Sequence, residues 1–137
     1  MGGAKCAARR APQQGEDTIK FLIHVTCGPA DATRAALAFL VAKTAADEGH
    51  SVSLFLAGDA VALLKEENLR SVTGLGTGKL EDHFNALLKV GSRFYLSGMS
   101  SKARGISEQD LAGKSAEFAM PNVLVRLAAE ADRVLTY

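Results

Sequence analysis

Residues 19–25 read Ile-Lys-Phe-Leu-Ile-His-Val and residues 52–56 read Val-Ser-Leu-Phe-Leu, and these two runs with the segment between them decide the fold. Both are short, apolar and β-branched, with apolar residues on both faces, which suits a central strand of a parallel sheet. Between them, Leu37, Leu40, Val41, Thr44 and Ala45 stand at i, i+3, i+4, i+7 and i+8, one face of a helix over residues 31–48. Asp31 or Thr33 can cap its start, and Gly49 can supply the left-handed residue that ends it. Strand, helix and strand within about forty residues make a right-handed βαβ unit.

Outward from this unit the alternation continues. Residues 59–64 read as a short helix, and 65–79 turn polar with Gly74, Gly76 and Gly78 close together, the composition of a mobile loop. A helix over about 80–90 places Leu80, Phe84, Leu87 and Leu88 on one face. Strand-like residues 92–96, a small-residue turn at Ser97–Gly98 and a short helix over 99–104 follow. Residues 116–119 read as another short strand, Pro121 opens a helix running to about Ala131, and Arg133–Thr136 reads as a closing strand. The expected architecture is a three-layer α/β/α sandwich on a mostly parallel sheet of about five strands.

Residues 1–17, small and polar without apolar periodicity, read as a disordered leader, and 18–137 as a single domain. A secretory signal fails for want of an apolar segment, and the myristoylation pattern breaks at Cys6, where Ser or Thr is required. The 137 residues carry 16 Lys and Arg against 15 Asp and Glu. Without Lys5, Arg9, Arg10, Glu16 and Asp17 the body holds 13 of each sign, a balance that argues against a nucleic-acid partner. The same neutrality leaves room for self-association. No run is long enough to span a membrane, and two cysteines suit a reduced, cytoplasmic setting rather than a disulfide framework.

Most catalytic patterns fail on inspection. Leu80 stands where a Walker loop needs Ser or Thr, and Lys79 where the dinucleotide fingerprint needs its third glycine. His24, His50 and His83 lack a ligand partner at i+4 or a nearby cysteine, so no metal site is supported. Tyr95 and Met99 break the two serine-nucleophile patterns around Ser97 and Lys102. Two places survive, because sites in parallel sheets form beyond the carboxyl ends of strands. Cys27, followed by Gly28, stands there after the first strand, and a thiol near a helix N-terminus can have a lowered pKa. Packing as a small half-buried residue is the competing reading of Cys27. Ser97 opens the other place, where Gly98, Met99, Ser100, Ser101, Lys102 and Arg104 offer N–H groups, hydroxyls and cations to an anion. An ordinary helix cap accounts for that stretch equally well.

Three stretches together resemble the DsrE/DsrF-like family of small sulfur-relay proteins, which includes the YchN-like group. They are His24-Val25-Thr26-Cys27-Gly28-Pro29-Ala30-Asp31, the run from Gly49-His50 to Phe55-Leu56-Ala57-Gly58-Asp59, and Tyr95 to Ile106. The ending Glu130-Ala131-Asp132-Arg133-Val134-Leu135-Thr136-Tyr137 also suits it, so the resemblance covers about 18–137. It implies a five-stranded parallel sheet between helices, assembly into homomeric or mixed trimers or hexamers, no cofactor, and in active members a cysteine that carries a persulfide. That cysteine opens a Cys-Gly-Met-Ser-x-Lys-Ala-Arg-Gly motif, and Ser97 stands in its place here. A hydroxyl does not hold a transferable sulfane sulfur. Three readings follow: a non-catalytic member that binds a small anion or thiol compound or regulates a partner, a structural subunit of a mixed ring, and a sulfurtransferase that carries persulfide on Cys27. They are ranked in that order, beside an unrelated enzyme on the same architecture.

Overall fold

The computed structural model describes residues 18–137. In chain order these form β1 (Lys20–Val25), α1 (Ala32–Asp47), β2 (Ser51–Leu56), α2 (Glu66–Ser71), β3 (Thr73–Gly74), β4 (Gly78–Lys79) and α3 (Leu80–Lys89). There follow β5 (Arg93–Ser97), α4 (Gly98–Ala103), α5 (Glu108–Leu111), β6 (Ala116–Ala119), α6 (Pro121–Glu130) and β7 (Arg133–Thr136). A single 3-10 turn lies at Pro29–Asp31 and a longer 3-10 helix at Gly58–Leu64. The leader expected over residues 1–17 lies outside the described residues.

Strands β1, β2, β5, β6 and β7 make one parallel sheet in the order β6-β5-β2-β1-β7. Strand parity sorts the apolar residues into two layers. Ile23, Val25, Leu54, Leu56, Phe94 and Leu96 point to one face, where Ala35, Ala38, Phe39 and Ala42 of α1 and Leu80, Phe84 and Leu87 of α3 meet them. Phe94 is the hinge of this core, with its ring centre 6.2 Å from that of Phe39 and 5.0 Å from that of Phe84. Leu22 and Phe55 point the other way, against Val123, Leu124, Leu127 and Ala128 of α6. With helices on both faces this is the expected three-layer α/β sandwich.

Three sequence expectations need correction. The polar stretch 65–79 is not a loop: it folds into α2 and the antiparallel β3–β4 hairpin. Gly76 and Gly78 adopt positive φ at its turn, and the hairpin is pinned to α1, with Leu75 N–H donating to Thr33 Oγ1 and Thr77 Oγ1 donating to the Thr33 carbonyl, both at 3.0 Å. Of the helix face picked out by Leu37, Leu40, Val41, Thr44 and Ala45, Ala45 alone is buried; Ala35, Ala36, Ala38, Phe39 and Ala42 enter the core instead. The smaller side chains let α1 lie close on the sheet. The helix read over 59–64 is 3-10, and the short α5 had no periodicity long enough to find. Gly49, at φ 94°, does end α1 as expected.

Candidate functional site

The carboxyl ends of β1, β2 and β5 open on the same edge of the sheet, and the loops leaving them are fastened together. Gly28 after β1 lies directly against the loop after β2: a Cβ built on it would stand 2.6 Å from the Asp59 carbonyl oxygen and 2.7 Å from the Asp59 Cβ. Only glycine permits that approach. The loop after β2 is tied in turn to α4, as Gly58 N–H donates to Ser100 Oγ at 2.9 Å. The Arg104 guanidinium completes the clasp. Its Nε and NH2 groups donate to Asp59 Oδ1 at 3.2 and 3.0 Å, and its NH1 donates to the Ser100 carbonyl at 3.1 Å.

Beside this clasp lies an open cleft of about 490 Å³, lined by Cys27, Gly28, Pro29, Ala30, Asp31, Asp59, Ala62 and Arg104. Its charged lining is Asp31, Asp59 and Arg104, and Arg104 already serves Asp59. Arg34, 3.5 Å from Asp31, screens the outer rim. The Cys27 side chain is half-buried against the core. Burial first and the Asp31 carboxylate second push its thiol above the ordinary value of 9.0, outweighing the opposing pull of a backbone hydrogen bond and Arg34. The expectation of a thiol lowered by the helix start is therefore reversed. The 3-10 turn at Pro29–Asp31 stands between Cys27 and α1, so the thiol does not sit at the start of that helix.

The second candidate stretch is used differently. Ser97 caps α4, its hydroxyl accepting the Ser100 N–H at 3.2 Å. Gly98 packs near Met120, Ser101 is buried with its Oγ unpartnered among the described residues, and Met99 and Lys102 are exposed. Of the residues singled out in the sequence, the structure brings Cys27, Gly28 and Arg104 to one cleft, while Ser97, Gly98, Met99, Ser100, Ser101 and Lys102 do not line it. Asp31 and Asp59 are the charged cleft residues that sequence reasoning did not place in a site. The signal was present, since Ala57-Gly58-Asp59 follows the carboxyl end of β2 as Cys27 follows that of β1. Among the described residues no group of three or more His, Cys, Asp or Glu side chains gathers as for a metal ion. Nor is any helix long and apolar enough to cross a membrane.

Comparison with known proteins adds a family. The family model described as DsrE/DsrF-like matches residues 20–137. An uncharacterized protein of Methanocaldococcus jannaschii, MJ0989, is 33% identical over 119 residues, covering 87% of this chain and all of that one. The crystal structure of the ychN protein from E. coli superposes with a TM-score of 0.73 at 20% identity, over 88% of this chain and all of that one. A protein of unknown function from Methanobacterium thermoautotrophicum, MTH1491, superposes with a TM-score of 0.63 at 16% identity, over 87% of this chain and 99% of that one. At such identities the two structures speak for the fold.

Proposed function

The chain belongs to the DsrE/DsrF-like family, and from that premise we propose that it is a binding member of this sulfur-relay family, taking a small thiol compound into the Cys27 cleft rather than carrying a persulfide on residue 97. One observation carries this reading: the Ser97 hydroxyl serves as a helix cap on Ser100 N–H and stands outside the cleft. An alcohol oxygen there offers neither the nucleophile nor the sulfur-storing atom that relay requires. The cleft itself favours a thiol compound over a bare anion. Its cation is engaged by Asp59, and Asp31 adds a second carboxylate. Cytoplasmic placement and assembly with copies or relatives belong to the same reading.

Active relay through Cys27 is the second reading, favoured by the placement of that thiol on the cleft. In it the Cys27 thiolate attacks the terminal sulfur of a donor persulfide, the sulfur–sulfur bond of the donor breaks, and the donor leaves as a thiolate. The raised thiol pKa works against this step, since little thiolate is present at neutral pH. Intact-mass measurement after exposure to a small persulfide donor separates the two, with Cys6→Ser kept in every variant. The binding reading expects no adduct on the otherwise wild-type chain and one added sulfur atom on Ser97→Cys. An adduct on the wild type that disappears in Cys27→Ser would replace binding with relay. In parallel, cysteamine, a small cationic thiol, should raise the melting temperature of the wild type and not of a variant with Ala30→Trp filling the cleft.

A further inference from the structure

The middle strand of the sheet carries two hydroxyls where a parallel strand is ordinarily apolar. β2 is third in the order β6-β5-β2-β1-β7. Its Val52, Leu54 and Leu56 fill one face, but Ser51 and Ser53 share the other face with Phe55. α6 leads from β6 at one edge of the sheet to β7 at the other, and so crosses this second face obliquely. Its last turn stands over the amino ends of β1 and β2 and leaves there a cavity of about 180 Å³, whose lining includes Lys20, Leu22, Ser51, Ser53, Leu127 and Glu130. This cavity is separate from the Cys27 cleft. It opens at the other end of β1, and the five steps from Lys20 to Val25 span roughly 17 Å. Its walls are fixed in place. Asp132 N–H donates to the Lys20 carbonyl at 2.8 Å and Lys20 N–H donates to Asp132 Oδ2 at 2.7 Å, which clamps the residues just beyond α6 to the start of β1. A ligand entering a site so held has little left to order.

We propose that this cavity binds a small zwitterion, an α-amino acid with an aliphatic side chain. Charge selects the class. Lys20 and Glu130 line one cavity with opposite signs, yet neither forms an ion pair with the other or with any other described residue. A bare anion would meet Glu130 and a bare cation would meet Lys20. A ligand with both an ammonium and a carboxylate satisfies the two, its carboxylate accepting from the Lys20 ammonium and its ammonium donating to the Glu130 carboxylate. The carbonyl end of α6, where Glu130 is the last residue, favours the ammonium on that side. The hydroxyls of Ser51 and Ser53 add donors and acceptors for either group. Arg93 stands beside Ser53 in the strand register and does not compete for the carboxylate, since Glu117 holds it at 2.7 Å. The buried Leu22 and the half-buried Leu127 leave the remaining wall apolar, which suits an aliphatic side chain. Size agrees. The cavity is smaller than the roughly 300–1,000 Å³ that drug-sized ligands and cofactors occupy, so it admits an amino acid and not a nucleotide.

Amide resonances of the full chain, followed by NMR as L-valine is added, test the assignment. Leu22, Ser51 and Ser53 should shift saturably while Gly28 and Gly58, at the other end of the sheet, stay in place. Isovalerate and isobutylamine keep the side chain of valine but only one of its charges, and each should bind several-fold more weakly. Lys20→Gln and Glu130→Gln should weaken valine by a similar factor, modest because both side chains are exposed and water screens them. Leu127→Trp should abolish binding by filling the cavity, and Cys27→Ser should leave the affinity unchanged. Valine that moves no resonance at millimolar concentration overturns the proposal, as do shifts that map away from β1, β2 and the last turn of α6. Either analogue binding as tightly as valine overturns it too, because the site then reads one charge alone. So does a charge variant that keeps the wild-type affinity with its resonances otherwise in place.

Discussion

Gly28→Ala probes the contact on which the cleft depends. Its Cβ would meet the Asp59 carbonyl oxygen, Cβ and carbonyl carbon at 2.6, 2.7 and 2.9 Å, roughly an ångström inside the ordinary contact distance of about 3.5 Å. Two of those atoms are backbone, which no rotamer change moves. Overpacking of this kind costs about 1–3 kcal/mol, and the upper half of that range applies to backbone. Against it, Gly28 sits at φ −113°, ψ −162°, a conformation open to alanine, so lost freedom in the unfolded chain returns about 0.4–1 kcal/mol. The net expectation is a destabilisation of about 1–2 kcal/mol, or roughly 4–8 °C in melting temperature for a chain of this length. The strain also has a place to go, since separating the two loops opens the cleft wall beside Cys27. With burial the leading cause of its raised pKa, the thiol should ionise more readily in the variant, and iodoacetamide should label it faster at pH 8. Urea melts followed by circular dichroism, with labelling read by mass, measure both effects. A Gly28→Ala variant as stable as wild type, or one whose Cys27 labels no faster, would refute the account of the two loops as a close-packed unit.

Other expectations follow from single contacts. Phe94→Ala removes the ring between Phe39 and Phe84 from a site with no solvent exposure and should cost about 3–5 kcal/mol in chemical denaturation. Lys114→Met should cost about 1.5–3 kcal/mol, because the Nζ group that binds the Leu64 and Asp110 carbonyls at 2.8 Å each is lost from a largely buried position. Arg104→Ala should lower stability by less than about 1 kcal/mol, its pairing with the exposed Asp59 carboxylate being solvent-screened. Burial holds His24 below the ordinary 6.5, with its Nε2 buried and unpartnered. The unfolded chain therefore takes up that proton first. Stability is full above pH 6.5 and falls as pH drops below it toward the folded value, and His24→Gln should flatten that acid limb. Cys27 has the opposite sign: its contribution is full below pH 9.0 and falls as pH rises beyond, and Cys27→Ser should remove that alkaline slope in melts taken across the range.

How far the sequence could be read depended on whether a segment's neighbours mattered to it. The runs 19–25 and 52–56 are buried on both faces whatever surrounds them, and they form the central pair β1–β2. The α1 face was misread because it has two apolar sides. Leucine and valine outrank alanine in any hydropathy count, yet close packing on the sheet selects Ala35, Ala38 and Ala42. Periodicity reports that a helix has an apolar stripe, not which of two stripes the sheet will take. The hairpin at 73–79 escaped for a related reason. Two-residue strands carry no alternation to detect, and what holds them is Thr33, forty residues upstream in the chain, through hydrogen bonds with no local signature.

The site divides along the same line. That sites lie beyond the carboxyl ends of parallel strands is a rule of topology, and it led to Cys27 and to the turn at Ser97 without any structure. What each side chain does there is a matter of partners. Arg104 reads in sequence as a cation offered to an anion, because Lys102 and the hydroxyls stand beside it. In the fold its Nε and NH2 groups are engaged by Asp59, 45 residues away, and a carboxylate held beside the guanidinium weakens its pull on a ligand anion. Cys27 reads in sequence as an activated thiol, because a helix follows, or as a small packing residue; in the fold burial first and the Asp31 carboxylate second raise its pKa. For Arg104 a carboxylate brought in by a loop sets the outcome; for Cys27 burial does so first and the Asp31 carboxylate second. A cleft that engages its own arginine and raises the pKa of its own cysteine offers neither a free cation nor a ready thiolate.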